Sequence, residues 1–402
     1  MKLRVFFAVF MMFFVADLLF AGNSTEGGNT EEGYVFSDEK ILPFTPVKDQ
    51  YRSGTCWSFS GLSLLESEMM RLGKPEVDLS EMFVVWHTYS EKAKKHVRMH
   101  GNLNFSAGGA FHDVINMIKK YGIVPESVYN GLVYGESKHV HGEMDSALLK
   151  YANAVAENES SSITTAWHEA VEDILDSYIG KIPQNFDFNG KQYTPQSFSA
   201  DYVGLNMDNY VEITSYTHHP FYSKFILEVP DNWSWDEIYN VPLNEMMSII
   251  DYALKNGFTV AWAADVSEKG FVNNKGIAVL PAAPANKMTD VEVVYWETLP
   301  ELDRENKLYE LNSVVPELTV TQEMRQRAFD IFETTDDHGM HIVGVSRDQY
   351  GNEFYKVKNS WGDYNKYNGF LYASKPYIAY KTMSIMLHKD AIPQTIREKL
   401  KL

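Results

Sequence analysis

A chain of 402 residues with a single cysteine cannot be stapled by an internal disulfide, so its fold must rest on an apolar core. Core material is ample: 45% of the residues are hydrophobic and 22% charged, a globular balance in a chain long enough for two or three structural units. The cysteine lies in Gln50-Tyr51-Arg52-Ser53-Gly54-Thr55-Cys56-Trp57-Ser58-Phe59. Phe59, Leu62, Leu65, Met69 and Leu72 recur at helical spacing, which predicts a helix from Cys56 to Leu72 that stops at Gly73. Ser53, Gly54 and Thr55 are its N-cap candidates. Cys56 then sits in the first turn, where the helix dipole and unpaired N–H groups favour a thiolate. Taken alone, a lone cysteine is equally well read as an inert filler of a core gap.

The N-terminus gives the thiol a context. Lys2 and Arg4 precede a twelve-residue apolar run, Val5 to Ala16, and Leu18-Leu19-Phe20-Ala21-Gly22 leads to small residues suited to cleavage. This is the pattern of a signal peptide over residues 1–22, with export to a periplasmic or extracellular space. The run is short for a membrane span, so a membrane association is expected only if the signal stays uncleaved. An unpaired thiol in an oxidising compartment is a liability, and catalysis is a reason to keep it. The net charge of −18 argues against nucleic acid and anionic membrane surfaces as partners, because phosphate recognition needs clustered Lys and Arg. The acidity itself is read as an aid to solubility.

Residues 23–33 are polar and aperiodic and read as a flexible linker. Leu42-Pro43-Phe44-Thr45-Pro46-Val47 enters as an extended arm. Helices are predicted over Glu81–Lys95, Ala110–Tyr121 and Leu243–Asn256, with a helical pattern through 137–175. Strands are predicted at Gly257–Trp262, Ile342–Val345, Glu353–Lys358, Gly369–Tyr372 and Met383–Leu387.

Far downstream of Cys56 come Asp337-His338-Gly339-Met340 and Lys358-Asn359-Ser360-Trp361-Gly362. A thiol, an imidazole and an amide in that order are the parts of a nucleophilic site. The histidine takes the thiol proton and later protonates the leaving amine, and the amide holds the ring without competing for its proton. The Cys56 backbone N–H and the Gln50 side chain are the candidate oxyanion donors.

These residues resemble the papain-like cysteine peptidases, on Ser53-Gly54-Thr55-Cys56-Trp57. The resemblance implies Gln50 as the oxyanion glutamine, His338 as base, Asn359 as orienting residue, and Trp361 as the indole that shields the His–Asn contact. It also implies Gly108-Gly109 as the glycine pair that bonds an extended substrate. The histidine of such enzymes usually follows the cysteine by about 130–150 residues. Here the separation is 338 − 56 = 282, so a large insertion is expected, as in the bleomycin hydrolase and aminopeptidase C branch. Absent disulfides, the stretch Leu318–Asp330 and the tail Leu387–Pro393 are similar to that branch as well.

The resemblance implies an α+β fold of two lobes, one helical and one antiparallel and barrel-like. The expected division is 34–135 (the lobe with the nucleophile), 136–285 (an insertion of oligomerisation type) and 286–402 (the lobe with His338 and Asn359). It implies peptide substrates, cleavage from the N-terminus, a ring-shaped homo-hexamer, and no cofactor or metal. In that branch the chain's own C-terminus meets the substrate amine. Here Ile396–Leu402 reads as a charged helix end, which also leaves endopeptidase or non-peptide amide hydrolase action open, with a silent binding scaffold as a further alternative. His341 faces away from His338 if both lie in one strand, and is expected to pack elsewhere. His96 with His100, and His139 with His141, read as solvated surface rather than metal ligands. Trp233, Trp235, Tyr239 and Trp262 read as core or contact residues.

Overall fold

The computed structural model describes residues 33–159, 162–282 and 308–402, together with positions 300, 302 and 306. The expected signal peptide and nearly all of the expected linker lie outside the described residues. Among the described residues, no helix is long and apolar enough to cross a membrane.

One lobe is helical. It contains α1 (Cys56–Arg71), α2 (Glu81–Arg98), α3 (Phe111–Tyr121), α4 (Gly142–Ala156) and α5 (Ala166–Ile179). Local chemistry sets the ends: Ser80 caps α2 by accepting the Phe83 N–H at 3.1 Å, and Gly122, at φ +82°, stops α3. In α3, Phe111, Val114, Ile115, Met117 and Ile118 are buried, whereas Lys119 and Lys120 face water. Leu62, Leu65 and Met69 of α1 join Phe83, Val114, Leu148 and Leu175 in one core. Each such side chain, fully buried, contributes about 1.5–3 kcal/mol.

The other lobe is built, among the described residues, on an eleven-stranded sheet. Its strands are β1 (Phe36–Ile41), β4 (Tyr210–Thr214), β5 (Lys224–Ile226), β6 (Glu237–Asn240), β7 (Val260–Ala264), β8 (Phe271–Val272), β9 (Ile277–Ala278), β10 (His338–Asp348), β11 (Glu353–Lys358), β12 (Phe370–Ser374) and β13 (Thr382–His388). A separate hairpin pairs β2 (Phe186–Phe188) with β3 (Lys191–Tyr193). The order is β5-β6-β4-β13-β7-β10-β11-β12-β9-β8, with β1 also on β10. The sheet is not antiparallel throughout: β4 with β6 and β9 with β12 run parallel. Helices α6 (Leu243–Lys255), α7 (Gln322–Asp330), α8 (Lys375–Lys381) and α9 (Gln394–Leu400) belong to this half of the chain. Ile249, Ile250 and Leu254 of α6 pack with Trp262, Ile342, Val357 and Leu387 of the sheet.

The 136–285 stretch contributes to both halves. Met144, Leu148, Val171 and Leu175 enter the helical core, and β7 lies between β13 and β10 in the middle of the sheet. Helix α1 packs on both β10 and β7, so the helix that begins at Cys56 spans the junction of the two lobes.

Candidate active site

Cys56 is the first residue of α1. Thr55 stands at the N-cap but gives no side-chain bond to the helix; its hydroxyl pairs with Ser53 Oγ at 2.6 Å. The Ser58 and Phe59 N–H groups donate to the Thr55 carbonyl at 2.9 and 3.3 Å, and the Trp57 backbone N–H reaches the Cys56 sulfur. The Gly339 backbone N–H reaches it from β10. This close approach needs a glycine, because a Cβ at 339 would lie 2.7 Å from Ser60 Oγ and 3.4 Å from the Cys56 carbonyl oxygen. His338 is the residue before Gly339 on β10.

His338 and Asn359 are both buried, and His338 Nε2 lies 2.7 Å from Asn359 Oδ1. An amide oxygen only accepts, so the ring carries its proton on Nε2 and leaves the Nδ1 lone pair as the basic atom. Asn359 Oδ1 also accepts the Ser360 N–H at 2.8 Å, which fixes the amide's direction. The Trp361 ring covers His338, with centroids 4.4 Å apart and planes inclined by 31°. Gln50 is buried beside them: its Oε1 accepts from Ser360 Oγ at 2.6 Å and its Nε2 donates to the Ser53 carbonyl at 2.7 Å. One Nε2 proton is thus engaged and the second is available.

Burial pushes the Cys56 thiol up to about 12, against the two backbone N–H donors, with Asp336 and Asp231 adding repulsion. Burial also holds His338 down at about 4, against the Asn359 hydrogen bond and the charge of Asp337. Each group, taken by itself, is shifted toward its uncharged form.

Next to Cys56, at its neighbours Trp57 and Gly339, lies a pocket lined also by Gly109, Ala110, Met383 and Asp336, among others. Gly109 backs onto the Trp57 indole, 2.9 Å from where its Cβ would be. The Gly108 carbonyl accepts from the buried Lys92 ammonium, and a Cβ on Gly108 would collide with the Asp231 carboxylate. The pocket also holds a charged pair, His112 Nδ1 on Glu212 Oε2 at 2.8 Å, with Ser384 Oγ donating to the other Glu212 oxygen at 2.5 Å. Burial opposes a charge on His112, but Glu212 raises it to about 9. Burial and the charges of Asp231, Glu212 and Asp337 hold Asp336 well above the usual carboxylate range. Sequence reasoning missed Asp231, Asp336, His112 and Glu212. Only Asp336 carried a local signal, its place two residues before His338.

His341 is buried and bonded elsewhere, its Nδ1 2.9 Å from Ser63 Oγ. Two histidine pairs need correction: His96, His139 and His141 are not solvated but buried. His96 sits between the Leu103 carbonyl and Asn153 Oδ1, at 3.0 and 2.8 Å, and the His139 and His141 rings pack edge to face at 5.5 Å. The polar sequence around His139 and His141 concealed a packed loop, and His96 lies on the buried side of α2. Trp233 and Trp262 are buried, and Trp235 is exposed beneath the Lys95 ammonium.

The chain is similar to aminopeptidase G of Lactobacillus delbrueckii subsp. lactis, with 24% identity over 91% of this chain and 85% of that protein. It is similar to aminopeptidase C of Streptococcus thermophilus, with 22% identity over 91% of this chain and 85% of that one. The crystal structure of PepW from Lactobacillus rhamnosis superposes with a TM-score of 0.67 at 22% identity, covering 91% of this chain and 84% of PepW. The fold is accordingly papain-like, of the α+β class. The profile of the Peptidase C1-like family matches residues 19–295 and 267–402, and the chain belongs to that family.

Proposed function

We propose that the protein is an exported cysteine aminopeptidase of the aminopeptidase C type, with Cys56 as nucleophile, His338 as base, Asn359 as orienting residue and Gln50 as oxyanion donor. The observation that carries this reading is the buried His338–Asn359 bond of 2.7 Å beneath Trp361, on the strand whose next residue, Gly339, touches the Cys56 sulfur. His338 Nδ1 takes the thiol proton as sulfur bonds to the substrate carbonyl carbon. The resulting oxyanion accepts from the Cys56 backbone N–H and from the free Gln50 Nε2 proton. The C–N bond then breaks, the imidazolium protonates the leaving amine, and water hydrolyses the thioester with the same base.

Action from the N-terminus is supported by charge. Asp336 and Glu212 line the pocket beside Cys56, and Asp231 lies against Gly108. A substrate's α-ammonium placed there meets Asp336 and Asp231, whose carboxyls burial holds above the usual range and which a cation would help to ionise. Leu402 lines a neighbouring groove that shares His112 and Glu212 with this pocket. The apolar run Val5–Ala16 supports export, and the first residue of the mature protein tests it.

Cys56→Ala should abolish hydrolysis with the fold retained; undiminished turnover by that variant would refute the assignment. Peptides with free amino ends should be cleaved in preference to N-acetylated ones. Asp336→Asn should raise KM for the free-amine substrate while changing kcat little. Equal cleavage of blocked and free peptides would make the enzyme an endopeptidase.

A further inference from the structure

Outside the cleft, two neighbouring histidines converge on one carboxylate. His218 Nε2 lies 3.0 Å from Glu228 Oε2, and His219 Nε2 lies 2.9 Å from Glu228 Oε1. One ligand atom from each residue falls within 4.8 Å of the others. The rings are held in place. His218 stacks on Phe329, with centroids 5.5 Å apart and planes at 13°, and His219 on Phe225, at 4.3 Å and 23°. The loop that carries them is fastened by Asn240, whose Nδ2 donates to the carbonyls of Tyr216 at 2.8 Å and His219 at 3.0 Å.

We propose that His218, His219 and Glu228 form a binding site for a divalent transition-metal ion of the zinc type, with a coordination position open to water. Two imidazoles and a carboxylate are a zinc donor set, and bonds of about 2.0 Å to a tetrahedral ion set its ligand atoms ~3.3 Å apart. The two nitrogen–oxygen distances here are 3.0 and 2.9 Å, one to each Glu228 oxygen, and one atom from each of the three residues lies within 4.8 Å of the others. A supporting shell is also present. Gln326 Nε2 lies 3.0 Å and its Oε1 3.3 Å from His218 Nδ1, so the amide can donate to the metal-free ring or accept Nδ1–H from a metal-bound one. An exposed His–Glu pair adds little stability and has no need of two stacked rings on one carboxylate.

The location gives the ion a task. Glu228 lies between Leu227 and Val229, which line the pocket beside Cys56, and Asn232 of the same segment lines it too. Asp231 of that segment meets Gly108. An ion at Glu228 would clamp the segment 227–232 to the 216–220 loop and hold one wall of the cleft, with no step of peptide hydrolysis passing through it.

The test uses the full chain with Cys56→Ser, so that the thiol cannot compete for metal. Titration calorimetry with zinc should give one ion per chain. His219→Gln and Glu228→Gln should each weaken it tenfold or more, and Gln326→Leu by about tenfold. Zinc at a hundredfold excess over its Kd should raise Tm by about 3 °C in the parent and not in the double variant His219→Gln/Glu228→Gln. Cobalt(II) should give the visible absorption of a tetrahedral nitrogen–oxygen site without a thiolate charge-transfer band. Far-UV circular dichroism of each variant checks that it is folded. Undiminished zinc affinity in the folded double variant, or no zinc bound by the parent at any concentration it tolerates, would overturn the proposal.

Discussion

At the scale of single residues, the site divides polar work between groups that are each held by two contacts. Gln50 is anchored at Oε1 by Ser360 and at Nε2 by Ser53, which leaves one proton in a fixed direction. A preorganised donor of this kind stabilises charge that exists only after attack, so its loss should lower kcat and leave KM alone. Gln50→Ala is expected to cost about 10²–10³ in kcat. His338→Ala should cost about 10²–10⁴, the usual contribution of a positioned base. Asn359→Ala should cost only about tenfold if the amide contributes one net hydrogen bond of orientation. Steady-state kinetics on a free-amine peptide rank the three; an Asn359 variant worse than the His338 variant would contradict the roles. The sequence singles out these residues because each lies within a few positions of a chemically telling neighbour, Gln50 and Trp57 around Cys56 and Trp361 after Asn359, and the structure sets Gln50, His338, Asn359 and Trp361 side by side. The protonation state was not legible. A first-turn position predicts a favoured thiolate, but burial, which no local spacing reveals, acts the other way on Cys56 and His338 alike.

At the scale of elements, the site depends on how closely β10 runs past the first turns of α1. Ser60 Oγ donates to the Cys56 carbonyl at 2.6 Å and stands where a Cβ at 339 would go, 2.7 Å away. Behind this contact a buried polar group ties the same pieces together. Lys358 of β11 donates to Ser63 Oγ at 2.8 Å and Thr45 Oγ1 at 2.9 Å, and Glu66 Oε1 accepts the Leu79 N–H at 2.8 Å. Gly339→Ala should therefore lose about 1–3 kcal/mol of stability through overpacking and should lower kcat as His338 is displaced. Ser60→Gly on that background should restore part of both. Denaturant unfolding and kinetics on the two singles and the double complete the cycle, and strict additivity would show that the two groups do not collide. The elements themselves were readable where their period is uninterrupted: α1 ends one residue before the expected stop, and Glu353–Lys358 is found as expected. The strand expected at Gly257–Trp262 begins instead at Val260. Gly257 takes φ +88° and the Phe258 N–H bonds back to the Ala253 carbonyl at 2.9 Å, so the end of α6 consumes residues whose apolar character suggested a strand.

At the scale of the whole molecule, the two lobes meet through pairs of residues a hundred or more positions apart. His112 of α3 meets Glu212 of β4, and Trp233 Nε1 donates to Asp113 Oδ2 at 2.9 Å. No window of sequence contains such a pair, which is why the lobes were anticipated while the pocket between them was not. The His112–Glu212 pair makes this junction sensitive to pH. Both side chains are largely buried, and Glu212, against the cost of that burial, raises His112 from an ordinary 6.5 to about 9. A base whose pKa rises on folding contributes stability that is fully present below its unfolded pKa and disappears as pH climbs through the folded one. The contribution should thus be complete below about pH 6.5 and gone above about pH 9, with a size on the order of 3 kcal/mol. Replacing His112 by Gln removes the titration. Urea unfolding of wild type and His112→Gln at intervals from pH 6 to 10 should show a gap that narrows through this window, as the wild-type imidazolium loses its proton beside Glu212. Two curves that stay parallel across the window would mean that His112 is already neutral in the folded protein, and that the lobes are joined there by packing alone.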